Sequence, residues 1–222
     1  MKQLTILLLL MLSVGLTDCT KSTSNADEKE QQKAEQISDQ ESKEQARKAA
    51  ETHLSFKGVP IDGPLSDYVH KMKAGGFSYL GTQDDGTAVL QGDFAGYKGC
   101  TIGVSTLNNA DVVNSISVIF PEQRDWSPLE ENYQTLKEML TEKYGQPAEC
   151  IEKFGGYGKA SDNQDKYLRL MSDECTYVVT FENTKGIIQL SLDEHYGRCF
   201  VRLEYWDRVN TETVKAAAMD DL

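Results

Sequence analysis

Histidine is scarce in this chain of 222 residues: His53, His70 and His195 are the only three. None falls in a His-Glu-x-x-His motif, and no His/Cys pair has zinc spacing, so the common zinc-hydrolase patterns are excluded and no metal or other cofactor is expected. Cationic residues are also few. Lys and Arg number 23 against 35 Asp and Glu, a formal net charge of −12. Such a chain is repelled by nucleic-acid phosphates and anionic headgroups, and nucleic-acid binding is not expected. Nucleophile motifs are missing as well: there is no Gly-x-Ser-x-Gly and no Ser-x-x-Lys with its companion motifs. Gly155-Gly156-Tyr157-Gly158 lacks the Gly-Lys-Ser/Thr ending of a phosphate loop.

Long apolar runs are absent with one exception. After Met1 and Lys2, Leu4 to Leu16 is almost unbroken, and Cys19 follows. At about 13 residues, roughly 20 Å as a helix, the run is short for a bilayer span but right for a bacterial export signal ending at a lipid-accepting cysteine. The pattern predicts a signal peptide over 1–18 and acylation of Cys19, with two or three acyl chains holding the protein at a membrane. Asp18 stands where lipoprotein peptidases prefer a small residue. The alternative is a soluble secreted form cut after Ala26. Lys2 and Asp18 cancel, so loss of the signal leaves the charge unchanged.

Residues 19–53 form a polar stretch in which Ile37 is the only large apolar residue between Thr20 and Leu54. It cannot offset its own ordering entropy by burial, although Glu, Gln, Lys and Ala favour helix. It reads as a stalk below the domain; a coiled-coil partner helix is the rival reading.

Two helices are predicted beyond it. Pro64 starts the first, with Leu65, Tyr68, Val69 and Met72 on one face and Gly75-Gly76 at its end. Ser127-Pro128-Leu129-Glu130 reads as a capping box for the second. Its stripe is Leu129, Tyr133, Leu136, Leu140 and Tyr144, and Gly145 and Pro147 close it. Alternating strands follow each helix: 78–80, 88–94, 100–106 and 113–120, then 149–154, 167–171, 175–181, 187–192 and 199–206. The expected fold is α+β, as two tandem units over 54–124 and 125–210, each with a helix packed on its own antiparallel sheet. A short helix and tail occupy 211–222.

Phe56-Lys57-Gly58-Val59-Pro60-Ile61-Asp62-Gly63, Gly75-Gly76-Phe77, Gly92-Asp93-Phe94-Ala95-Gly96-Tyr97-Lys98 and Leu140-Thr141-Glu142-Lys143-Tyr144-Gly145-Gln146-Pro147 resemble recurring segments of uncharacterised exported envelope proteins of Bacteroidetes-type bacteria. The resemblance covers nearly all of the chain after Leu54. It implies export in a diderm bacterium, where the residue before the lipidated cysteine is less strictly small. It implies no activity and no catalytic residue.

Cys100, Cys150, Cys175 and Cys199 complete the cysteines. An even number in an exported domain predicts two disulfides, with three connectivities. If the last three strands form a meander, Cys175 and Cys199 lie about 9–10 Å apart. That exceeds the bridging limit of about 7 Å and disfavours 175–199 together with 100–150. Four buried free thiols are the alternative. Cys199 with His195 could suggest a thiol–imidazole pair, but a core-facing cysteine beside a hairpin histidine is the simpler reading. Asp162, Asn163 and Asp165 could supply oxygen ligands to Ca²⁺ without the EF-hand spacing. Asp84-Asp85 and Asp173-Glu174 lie in turn signals, and no glycosidase pair follows from them. Tyr157, Tyr167, Tyr196 and Trp206 could line a glycan- or protein-binding surface. The chain therefore reads as a non-enzymatic envelope lipoprotein carrying a module that binds a protein or glycan. An exported hydrolase acting through carboxylates is the alternative.

Overall fold

Apolar side chains at 126, 129, 133, 136 and 140 recur at helical spacing, and in the computed structural model they form the buried stripe of helix α2, Trp126–Tyr144. The structure describes residues 41–45, 47–107, 110–156 and 158–220. The first helix of the main body is α1, Leu65–Ala74, with Tyr68 and Met72 buried and Pro64 at its N-cap. Gly76, at φ 95°, takes the left-handed turn after it.

Ten strands accompany these helices. A small hairpin pairs β1 (Ser55–Phe56) with β2 (Val59–Pro60) around Lys57 and Gly58, both at positive φ. Strands β3 (Ser78–Thr82), β4 (Ala88–Phe94), β5 (Tyr97–Thr106) and β6 (Val113–Ile119) follow α1 as a meander. Strands β7 (Glu149–Phe154), β8 (Cys175–Asn183), β9 (Gly186–His195) and β10 (Arg198–Asp207) follow α2. All eight form one antiparallel sheet in the order β3-β4-β5-β6-β10-β9-β8-β7.

Two separate sheets were expected. Instead the last strand of each half pairs with the other, Ile119 opposite Arg202 and Ser115 opposite Trp206, and the two halves share one sheet. Closing this seam removes two exposed strand edges. A second correction concerns 167–171, expected as a strand. These residues lie in helix α3, Asn163–Met171. The Asp162 carboxylate accepts the Asp165 N–H at 2.9 Å as its N-cap, and Arg169 pairs with Asp165 one turn earlier at 3.1 Å. The expected capping box at 127–130 is also not formed. α2 starts at Trp126 with no side-chain cap, because Ser127 Oγ accepts from Asn163 and Glu130 accepts the indole N–H of Trp126 at 2.7 Å.

The core lies on one face of the sheet. Leu90, Ile102, Val118, Leu203, Leu190 and Val179 are each fully buried there against α1, α2 and Leu170 of α3. Trp126, Tyr133, Phe154 and Tyr177 interlock beneath α2 at ring distances of 5.2–5.6 Å. The chain ends in helix α4, Arg208–Asp220, which leaves the end of β10 and is largely exposed.

Candidate functional site

Side chains alternate across a strand, so β10 sends Cys199, Val201, Leu203 and Tyr205 into the core and Phe200, Arg202, Glu204 and Trp206 to the opposite face. Among the described residues, no helix packs over that second face. One row across it reads Gln91, Thr101, Ile119, Arg202, Ser191, Val178 and Ile151; the next reads Val89, Gly103, Ser117, Glu204, Gln189 and Thr180. Most of these side chains are half-buried by their neighbours alone. The face is therefore broad, mixed in polarity and low in relief at its centre, where Gly103, Ser105, Ser115 and Ser117 stand together.

Near its centre the charged residues are Arg202 and Glu204 on β10 and Asp193 on β9. Arg202 Nη2 donates to Asp193 at 2.8 Å, and the guanidinium lies 5.7 Å from the Phe200 ring centre. Glu204 has no hydrogen bond and no ion pair to any described residue. Burial raises its carboxyl above the usual glutamate range; Arg202 opposes the shift and Asp193 adds to it. Phe200 is only 4% exposed yet lies outside the main core. It floors a hollow of about 480 Å³ with Thr101, Ile119 and Arg202, and Tyr196, 90% exposed, stands at the rim. Around that rim, a groove of about 690 Å³ runs between the start of α2 and α3, with Leu168 and Met171 exposed along it.

A second cluster lies at the end of β10. The imidazole of His53 is bound through Nδ1 to Asp207 Oδ1 at 2.9 Å, and its Nε2 faces Asp62 Oδ2 at 3.7 Å. Asp207 is fully buried and also accepts the N–H groups of Leu54 (2.9 Å) and Asn210 (3.0 Å). The Asn210 amide in turn donates to Ile61 O, Val113 O and Asp62. An imidazole held through Nδ1 by a carboxylate is half of a hydrolytic relay. Here the other nitrogen faces a second carboxylate instead of a hydroxyl or thiol, and the cluster has no nucleophile to activate. It acts as a clasp between the start and the end of the domain. His53, assigned from sequence to the stalk, belongs to the domain. Residues 47–52 are helical, and Lys185 Nζ caps the Ala50 carbonyl at 2.6 Å.

No family model, curated protein or solved structure matches the chain. Geometry alone therefore ranks the residues singled out from sequence. Cys19 and Tyr157 lie outside the described residues. Cys100, Cys150, Cys175 and Cys199 are free thiols, so the two expected disulfides are not formed; Cys100 and Cys199 are buried, Cys175 is half-buried and Cys150 is exposed on the edge strand β7. The alternative of four buried thiols is also not what the structure has, since Cys150 is exposed and Cys175 only half-buried. Burial raises the Cys100 and Cys199 thiols and pushes Cys175 up to about 12, the opposite of nucleophile activation. His195 lies against Tyr196, ring centres 4.3 Å apart and tilted, at an exposed strand end while Cys199 is in the core, so His195 and Cys199 form no pair. His70 is on the exposed flank of α1.

The Ca²⁺ reading of 162–165 fails on use. Asp162 caps α3, Asp165 binds Arg169 and the Ser161 N–H, and Asn163 reaches Ser127. Among the described residues, no three His, Cys, Asp or Glu are placed to hold a metal ion. Of the aromatic candidates, Tyr167 donates its hydroxyl to Gln123 O at 3.0 Å, while Tyr196 and Trp206 are on the open face or its rim. Sequence reasoning missed Glu204, Arg202 and Phe200 as a group. Their alternation with Val201, Leu203 and Tyr205 was visible, but which face lacked a cover was not.

Proposed function

We propose that this protein is a non-enzymatic binding module of the bacterial cell envelope, anchored through acylated Cys19, whose uncovered sheet face docks a partner protein. The observation that carries the reading is the middle strand β10, which presents Phe200, Arg202, Glu204 and Trp206 on a face without a covering layer. Surfaces of this kind bury area at low entropic cost, because strand residues are already ordered and aromatic anchors have few rotatable bonds. A protein fits this broad, shallow face better than a glycan. The alternative, an exported hydrolase acting through carboxylates, is favoured less because, among the described residues, the centre of this face is low in relief and offers no deep cleft in which two carboxyls converge. The first half contributes helix α1 and a four-stranded meander, the second helices α2 and α3 and a four-stranded meander, and we read the module as two tandem units fused along β6 and β10.

Site-specific photocrosslinking in cells tests the docking face. A benzophenone side chain at Ser117, on the face, should trap one discrete protein, which then rebinds the purified module. The same probe at Glu138, exposed on α2, should trap nothing. Trapping from both positions, or from neither, would sink the reading.

A further inference from the structure

We infer that the partner presents a lysine or arginine to the open face and that Glu204 receives it. This inference rests on the docking reading above and names the chemistry of recognition within it.

Four observations converge on Glu204. It lies on the middle strand of the eight-stranded sheet, between β6 and β9, where a docked surface would have its centre. Its neighbours do not complete it: Arg202 attracts the carboxylate but makes no hydrogen bond or ion pair with it, and Arg202 Nε is itself buried without a hydrogen-bond partner among the described residues. Arg202 gives its Nη2 to Asp193. Gln189, directly opposite on β9, donates its amide to Thr180 Oγ1 at 3.3 Å. Ser117, opposite on β6, makes no hydrogen bond to Glu204 through its hydroxyl. The carboxylate is thus half-buried and without a hydrogen bond or ion pair to any described residue, a placement that costs stability unless something completes it.

Space and shape agree with a long cation. Gly103 lies beside Ser117 on β5, and Ser105 and Ser115 continue the low floor toward Trp206. A lysine or arginine stem can lie over these small residues while its head reaches Glu204, with the indole of Trp206 two residues along the strand to stack on it. About 13 Å along β10 in the other direction, past Arg202, Phe200 floors its hollow. A loop carrying one cation and one apolar side chain would satisfy both. The net charge of −12 attracts such a loop at long range. Pairing at the centre, where water is excluded on docking, gives it specificity.

A phage library of randomised cyclic peptides, panned on the whole purified protein, tests the inference. Enriched peptides should contain Lys or Arg. Their affinity should fall at least tenfold on Glu204→Gln and equally when the cation is replaced by norleucine. The two changes together should cost no more than either alone. The folded state of Glu204→Gln is checked by its melting curve. Enriched peptides without a cation, peptides that bind Glu204→Gln as well as wild type, or no enrichment at all would overturn it. If the Ser117 crosslink persists undiminished in Glu204→Gln, the docking face stands and this assignment falls.

Discussion

Glu204 and Asp207 are three residues apart on one strand and have opposite energetic characters. Burial raises the Glu204 carboxyl, so the folded chain holds that proton to higher pH than the unfolded chain does. Stability is then greatest where both states are protonated, and it is lost as pH rises from the ordinary glutamate range to the raised folded value. Glutamine has no such titration. Glu204→Gln should therefore melt above wild type at pH 7, with the gap closing near pH 3, below both values. Thermal melts at the two pH values decide it; a gap of equal size at both would mean that shape, not charge, is responsible. Asp207 is the reverse case. It satisfies His53 and two backbone N–H groups at once, and truncation leaves all three buried and unmatched. Asp207→Ala should cost at least about 3 kcal/mol in urea melts, since each of three buried donors left unsatisfied costs about 1–3 kcal/mol. A loss under about 1 kcal/mol would mean that the clasp does not hold the domain. Neither role was legible in the sequence. His53 and Asp207 are 154 positions apart, and no local pattern encodes that pairing.

Helix α2 was the most legible element, because five apolar positions at helical spacing leave one solution. Leu136 is 2% exposed and Leu140 6%. Truncating either to Ala should cost about 2–5 kcal/mol by leaving a cavity. Glu138, exposed on the far side, should tolerate Ala within about 0.5 kcal/mol. Equal costs on the two faces in urea melts would contradict the packing of α2 on β9 and β10. Lys137 does not serve as a neutral control, because its Nζ binds Glu152 of β7 at 2.6 Å. Helix α3 was misread for a physical reason. Five residues of mixed polarity fit a period of two as well as a period of 3.6, and the deciding signal, the Asp162 cap, lay outside that window. The β1–β2 hairpin is too short for any period. The turn Asn183-Thr184-Lys185-Gly186 was legible, and the Asn183 side chain closes it by accepting the N–H groups of Lys185 and Gly186.

The whole molecule departs from expectation at a single seam. Alternation along β6 and β10 gave their two faces correctly but not their pairing, since antiparallel registry between strands about 80 residues apart is set by the whole core and not by either strand. The seam has a thermodynamic signature. With ten cross-strand neighbours along β9 on one side and five along β6 on the other, β10 cannot separate without disturbing both halves. Scanning calorimetry should record one transition whose calorimetric and van't Hoff enthalpies agree. Two resolved transitions would mean that the halves unfold independently.

The clasp and the docking face share a strand, and this sets how the molecule carries load. A pull on the residues ahead of His53 would run along the backbone into Leu54, and Asp207 holds both residues, the imidazole of one and the N–H of the other. From there it needs only three residues of β10 to reach Glu204. Because β10 is hydrogen-bonded along both sides, the tension is borne in shear by two ladders at once, not peeled from an edge one bond at a time. Were the protein anchored and docked as proposed, its grip and its tether would lie at the two ends of one short stretch of β10, between Glu204 and Asp207.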